Sequence, residues 1–344
     1  MESRSQIYHA DAELRDDLSY GLAAKFIEAS APWILDVGCA CGDIGKAYKG
    51  RFPEATLVGC DLDADSLEIA RQSGAYAKLI QLDLDRIDSA AISEFQNRFD
   101  YLYCGDVLEH LRCPMGSLDA LLGCLKPGGS LLSSIPNVAH LNIKCALMND
   151  DFTYTPVGLL EQTHVHLFTY RSIASGFASI GLRIEDARFT FVNRDGWRPH
   201  AYWDGASPEL LHAYYDDWHS YVCQYVTRSV RSDLPQERLE EINLDALRID
   251  GTNAPEPMRA YRARMLADCP PCGIDLYRDK CAEYDAKCAA YDAKCAAYDA
   301  KCHSLSNELA RVLALYDEMR LSTCWRMTRP LRWTLDRLKG LVRR

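Results

Sequence analysis

The densest chemical signal in the chain is the run Ile34-Leu35-Asp36-Val37-Gly38-Cys39-Ala40-Cys41-Gly42. An apolar strand that ends in a carboxylate and runs into small residues suits a nucleotide-type cofactor, because residues without bulk let backbone approach a ligand. A dinucleotide loop needs G-x-G-x-x-G. Counted from Gly38, its next two glycine positions hold Ala40 and Asp43, so that pattern fails. A phosphate loop ends in Gly-Lys-Ser/Thr, and Gly45-Lys46-Ala47 lacks both the hydroxyl and the upstream spacing.

Other carboxylates recur at matching places. Asp61 stands 23 residues after Gly38, where an acidic side chain accepts ribose hydroxyl protons. Asp83-Leu84 and Gly105-Asp106 follow the next two apolar runs, so each acid falls at the carboxyl end of an expected parallel strand. Open α/β sheets bind ligands along that edge. The D-x-G-x-A-x-G run resembles motif I of class I S-adenosylmethionine (SAM)-dependent methyltransferases. The resemblance implies SAM as cofactor, with Asp36 at its ammonium and Gly38, Cys39, Ala40 and Gly42 along its methionine part. It also implies Asp61 and Leu62 at the ribose, Asp83 and Leu84 near the adenine, and Gly105 and Asp106 lining the site.

Beyond the loop the resemblance narrows. Asp106-Val107-Leu108-Glu109-His110-Leu111, Leu125-Lys126-Pro127-Gly128-Gly129, Ser134-Ile135-Pro136-Asn137-Val138-Ala139-His140 and Gln162-Thr163-His164-Val165-His166-Leu167-Phe168-Thr169 resemble ubiquinone-O-methyltransferase-like enzymes, especially those associated with bacterial surface-polysaccharide assembly. Cys113, Gln162 and His166 depart from that pattern, which has Asp, Arg and Arg there. Methyl transfer to a hydroxyl needs a base, and histidine ionises near neutrality. His164 and His110 are the candidate catalytic residues. No metal is expected: His164 and His166 share a face at strand spacing without an acidic cluster, and Cys269-Pro270-Pro271-Cys272 is a lone CxxC.

These residues need a sheet to hold them. Short apolar runs at 33–37, 56–60, 79–82, 99–104, 130–134, 182–191 and 221–227 alternate with helical patterns such as 64–73 and 115–124. That alternation predicts an α/β, Rossmann-like class I methyltransferase sheet with helices on both faces. Residues 126–129, Lys-Pro-Gly-Gly, read as a turn. The expected organisation is a helical lead-in over 1–30, the catalytic domain over 31–228, and a partly ordered, proline-punctured connector over 229–275. A heptad coiled coil over 276–322 and a basic amphipathic tail over 323–344 follow.

In the coil, Cys281, Cys288, Cys295 and Cys302 alternate with Tyr277, Tyr284, Tyr291 and Tyr298 at a and d spacing. Lys280, Lys287 and Lys294 fall at g, and Asp285, Asp292 and Asp299 at e, which favours a parallel homo-oligomer. The tail interleaves Trp325, Leu331 and Trp333 with arginines, a pattern for peripheral contact with anionic lipid, and resembles short tails of glycan-cluster proteins. The net charge of -10 divides into +7 over 320–344 and -17 elsewhere, so nucleic acid is not expected as a partner. The absence of a signal-like start and the placement of several of the 15 cysteines in apolar runs point to the cytoplasm, with the tail at the inner membrane. The expected activity is O-methylation of a sugar hydroxyl on a surface glycan or its precursor. The alternatives are a quinone-like or other small-molecule acceptor, and a glycan-assembly scaffold with a regulatory or vestigial SAM domain.

Overall fold

The computed structural model describes residues 14–87, 89–191, 217–249, 254 and 256–267, with helical residues at 300–301, 304–311 and 314–315. Strands β1 (Trp33–Val37), β2 (Thr56–Asp61), β3 (Lys78–Gln81), β4 (Phe99–Gly105), β5 (Leu125–Pro136), β6 (Leu182–Thr190) and β7 (Gln224–Arg231) form one sheet. Its order is β3-β2-β1-β4-β5-β7-β6. Strands β1 to β5 are parallel, and β7 runs antiparallel between β5 and β6. The chain lays β2 and β3 on one side of β1 and returns to place β4 on the other. That reversal opens a crevice at the carboxyl ends of β1 and β4.

Strand alternation sorts the apolar residues into two cores. Leu35, Val37, Leu102, Cys104 and Leu131 face one layer, together with Leu118 and Leu121 of helix α4 (Pro114–Leu122). Ile34, Leu57, Tyr101, Tyr103 and Leu132 face the other, against Leu22 of α1 (Ser19–Ala24) and Tyr48 of α2 (Asp43–Arg51). Burial on both faces is why β1 and β4 read as nearly continuous apolar runs. Helix α3 (Ala64–Gln72) begins at Asp63, whose carboxylate accepts from the Ser66 N–H at 3.2 Å. Such a cap contributes about 1 kcal/mol and fixes the chain just after β2.

Two expectations change. Residues 126–129 form an excursion inside β5: Phe99 faces Leu125 while Tyr101 already faces Ser130, and Gly128 turns the chain with φ +79°. The strand therefore begins before the glycine pair. The stretch expected as a partly ordered connector instead contributes helices α7 (Gln236–Ala246) and α8 (Glu256–Ala267) to the first compact unit, Met1–Cys269. Helix α7 packs on β6 and on α6 (Tyr170–Ser179), burying Leu239 and Asn243. Asn243 Oδ1 accepts from Ile184 N at 2.8 Å, and its Nδ2 donates to Leu182 O at 3.0 Å and Ala174 O at 3.2 Å. Pro235 is the N-cap of α7 and Pro257 lies in the first turn of α8, where a missing N–H breaks no helical bond.

The second unit is Pro270–Arg344. Its described residues 304–311 are helical, with Leu305 and Leu309 exposed. The rest of the expected coil, apart from 300–301 and 314–315, and the whole tail lie outside the described residues. No described helix is long and apolar enough to cross a membrane.

Candidate active site

The cofactor loop leaves β1 in an alternating backbone conformation. Gly38, Ala40 and Gly42 have φ +72°, +45° and +82°, so the two-residue spacing of small side chains matches three left-handed positions. A methyl group on Gly38 would lie 2.6 Å from Val107 Cγ2, which also holds that position to glycine. The loop is tied down by Gly38 N and Cys39 N, which donate to Cys60 O at 2.8 and 3.0 Å, and by Gly42 N to Cys39 O at 2.9 Å. Cys39 and Cys41 are buried thiols; burial raises both pKa values, so neither is an exposed nucleophile.

Beneath the loop sits Tyr76, a residue the sequence reading did not single out. Its hydroxyl donates to Asp36 Oδ2 at 2.6 Å. Its ring lies where side chains on Gly42, Gly45 and Gly59 would stand: Cβ atoms there would fall 3.0, 2.0 and 2.9 Å from Tyr76 atoms. Asp36 is only 4% exposed. Burial pushes its carboxyl up to about 6, against the lowering hydrogen bond from Tyr76, with Asp61 adding repulsion. Asp36 is thus a buried carboxylate near the end of β1, hydrogen-bonded to Tyr76 directly under the loop.

The other expected cofactor residues line the sheet edge. Asp61 accepts from Ala40 N and Asp63 N, both at 2.9 Å, so it braces the loop from the end of β2. Leu62 is half exposed, at 52%. Asp83 accepts from Asp85 N at 3.0 Å, whereas the Leu84 side chain points into the core. Asp106 adopts φ +54° directly after Gly105 and opens onto solvent at the cleft floor. The surrounding protein raises its carboxyl to about 6, offset by hydrogen bonds from Ser134, Gln224 and Ser19. Tyr103 Oη is buried without a hydrogen-bond partner among the described residues, beside Gly105. The small-residue loop, the strand-end acids and this orphaned hydroxyl fit a cofactor bearing an ammonium, a diol and an amino group.

The two candidate histidines meet beside that floor. Val165 N and His166 N donate to Glu109 O at 2.8 and 2.9 Å, zipping the 163–166 segment onto the one-turn helix Leu108–His110. The His110 and His164 rings stand edge to face with centroids 4.8 Å apart. His164 Nδ1 lies 3.1 Å from Leu159 O and His110 Nδ1 lies 3.2 Å from Thr163 O. A carbonyl only accepts, so Nδ1 holds the proton in both rings and Nε2 is the basic nitrogen. The neighbouring His166 is held by its Nδ1, which donates to Leu111 O at 2.7 Å, and its ring stacks on Phe168.

The expected absence of an acidic partner for His164 needs correction. Glu109, 1% exposed, brings a carboxyl oxygen to the pair, and ligand atoms of Glu109, His110 and His164 lie within 4.8 Å of one another. This donor set, two imidazoles and a carboxylate, suits a divalent cation as well as a proton relay. Burial and the neighbouring Asp106 raise the Glu109 carboxyl well above the usual carboxylate range. Glu109 lies within the 106–111 motif, but only the fold brings it to His164. Nearby aromatic surface is limited among the described residues: Tyr154 is exposed against Phe152, and Trp218 is partly buried with Arg262 over its ring. The 134–140 motif is largely structural: Asn137 Nδ2 donates to His219 O at 2.9 Å and Val222 O at 2.8 Å.

Sheet, loop and strand-end acids together define a Rossmann-like, SAM-dependent methyltransferase. A family model described as a methyltransferase domain matches residues 7–187, more than half of the chain, and the chain belongs to that family. It is similar to the ubiquinone biosynthesis O-methyltransferase of Xylella fastidiosa, at 29% identity over 183 residues, covering 52% of this chain and 71% of the relative. A trans-aconitate 2-methyltransferase of Deinococcus radiodurans is 31% identical over 129 residues, 38% of this chain and 47% of that protein. Among solved structures, an O-methyltransferase from a trans-AT PKS multienzyme of Brevibacillus brevis, in complex with S-adenosyl-L-homocysteine, has a TM-score of 0.46. It is 16% identical and covers 72% of this chain and 83% of its own. The cofactor of this chain is S-adenosyl-L-methionine.

Proposed function

We propose that the chain methylates a hydroxyl oxygen, with His164 and His110 as the pair that takes the acceptor's proton. The observation that carries this is the edge-to-face imidazole pair beside Asp106, each ring with Nδ1 held on a carbonyl. When bound, SAM supplies an activated methyl on a sulfonium. The chain's own task is to align the acceptor oxygen and remove its proton onto Nε2 as the oxygen–methyl bond forms. Asp36, Asp61 and the 38–42 backbone hold the cofactor from below. Methyl transfer from radiolabelled SAM by His164→Ala and His110→Ala tests the assignment. Loss of a base costs about 10²- to 10⁴-fold in turnover, with SAM affinity retained; wild-type turnover in both variants ends the proposal.

For the acceptor, a phenolic hydroxyl of a quinone-like small molecule is the first reading. Curated relatives carry the name ubiquinone biosynthesis O-methyltransferase. A phenol ionising near pH 10 is also a closer match to imidazole than an alkyl hydroxyl is. The second reading, a sugar hydroxyl on a surface glycan or its precursor, is supported by the motif resemblance and the 323–333 tail. Catechol-type phenols and cell-envelope glycan fractions, compared in one transfer assay, separate the two. We further propose self-association through the 276–322 heptads and peripheral lipid contact through the tail. Sedimentation of the full chain against a chain ending before 276, and flotation with anionic vesicles with and without 321–344, test these in turn. A scaffold with a silent domain predicts no calorimetric SAM binding.

A further inference from the structure

We propose that Tyr76 sets how tightly the chain holds SAM, as the positioning residue for the Asp36 carboxylate. This rests on the reading that Asp36 meets the ammonium of the cofactor. The Tyr76 hydroxyl donates to Asp36 Oδ2 at 2.6 Å, and among the described residues it is the hydrogen-bond donor that reaches this carboxylate. The backbone N–H of Gly45, in the first turn of α2, stabilises the same phenolic oxygen. One hydroxyl therefore links the acid that precedes the cofactor loop to the helix that follows it.

The fold is built to seat this ring. Tyr76 stands between α3 and β3, where Ala75 N donates to Ser73 Oγ at 3.2 Å and Ala77 N to Leu57 O at 2.8 Å. Its seat is made by glycines from three elements: Gly42 in the loop, Gly45 in α2 and Gly59 in β2. Of these, Gly42 has positive φ, whereas at Gly45 and Gly59 the need for glycine is one of space. At Gly45 the three atoms nearest an added Cβ all belong to Tyr76. The thiols and phenols close to the carboxylate, on Cys39, Tyr48, Cys60 and Tyr103, are held neutral by burial, and Asp61 adds repulsion. Against that background a charge-assisted bond from Tyr76 favours the ionised form of Asp36 and fixes its orientation before the ammonium arrives.

The test is calorimetry on the full chain with two ligands, SAM and methylthioadenosine, the second of which keeps the adenosine but has no ammonium. Tyr76→Phe leaves the ring in its seat and removes the hydroxyl. It is expected to weaken SAM about tenfold while methylthioadenosine stays within about twofold of wild type. In an Asp36→Asn background the same change is expected to alter SAM affinity by less than about threefold, because the charge it serves is gone. Wild-type SAM affinity in Tyr76→Phe overturns the proposal, and so does an equal loss for both ligands, which would mark a general disturbance of the site. Additive losses in the double variant overturn it as well. If Tyr76→Phe does not fold, the double variant, which buries no charge lacking its donor, is compared with Asp36→Asn, and a further loss of SAM affinity overturns the proposal. Full SAM affinity in Asp36→Asn would remove the ammonium reading and the proposal with it, whereas a loss there with none in Tyr76→Phe removes the proposal alone.

Discussion

Asp36→Asn is expected to stabilise the unliganded protein and to weaken its hold on SAM. The Asp36 carboxyl sits at about 6 in the fold against an ordinary 3.8. At about 1.4 kcal/mol per unit, an ionised Asp36 costs the folded state on the order of 3 kcal/mol above pH 6. Between 3.8 and 6 the folded chain binds more protons than the unfolded one, so this cost fades as pH falls and is gone below 4. Asparagine keeps the acceptor for the Tyr76 hydroxyl and removes the charge. Urea unfolding at pH 8 is therefore expected to show Asp36→Asn more stable by about 2 to 3 kcal/mol, with the difference shrinking to near zero at pH 4. Calorimetry is expected to show the opposite for SAM: affinity at least about tenfold lower at pH 8, because the ammonium loses a buried counter-charge. Equal stability of the two proteins at both pH values would show that Asp36 is solvated. Unchanged SAM affinity would show that its charge does not face the ammonium.

Gly38→Ala should destabilise by about 2 to 4 kcal/mol, combining left-handed strain with the 2.6 Å approach to Val107. Adding Val107→Ala should recover only the steric part in a double-mutant cycle. Cys113 is the N-cap of α4 and makes no side-chain cap hydrogen bond. Cys113→Asp should raise stability by about 1 kcal/mol, read as a higher melting temperature; no rise would mean that the local backbone cannot present the carboxylate. Asn243→Ala removes three buried side-chain-to-backbone hydrogen bonds and should cost about 3 kcal/mol by denaturant midpoint. A loss under about 0.5 kcal/mol would contradict a structural role for α7.

The strands were legible because a doubly covered parallel sheet writes itself as separated apolar runs, and all seven expected runs overlap observed strands. The strand-end acids were legible for the same reason: once β1 to β4 are placed, the carboxyl edge follows. The 236–246 helix was not, because Pro235 and Pro255 read as breaks when the first is in fact a cap. Nor was Tyr76, which reaches Asp36 across 40 residues through one hydrogen bond and leaves no periodic trace. The 126–129 excursion carried ordinary turn chemistry, so only the register could show that the strand begins before it.

The two halves of the site differ in how they are encoded. The cofactor half is a local backbone conformation, positive φ at 38, 40 and 42, and such a requirement surfaces directly as residue type and spacing. The acceptor half exists only because two distant segments are joined by Val165 and His166 donating to Glu109 O. None of those backbone atoms constrains its own side chain. Residues 106–111 and 159–166 can therefore exchange side chains, as Gln162 and His166 do relative to the pattern they resemble, while the zipper and the SAM loop stay in place. That independence predicts that substitutions at Gln162 and His166 will change which hydroxyl is methylated before they change SAM binding. Paired calorimetry and acceptor profiling of Gln162→Arg and His166→Arg measure the two effects separately, and a parallel loss of SAM affinity in both would show that the halves are coupled.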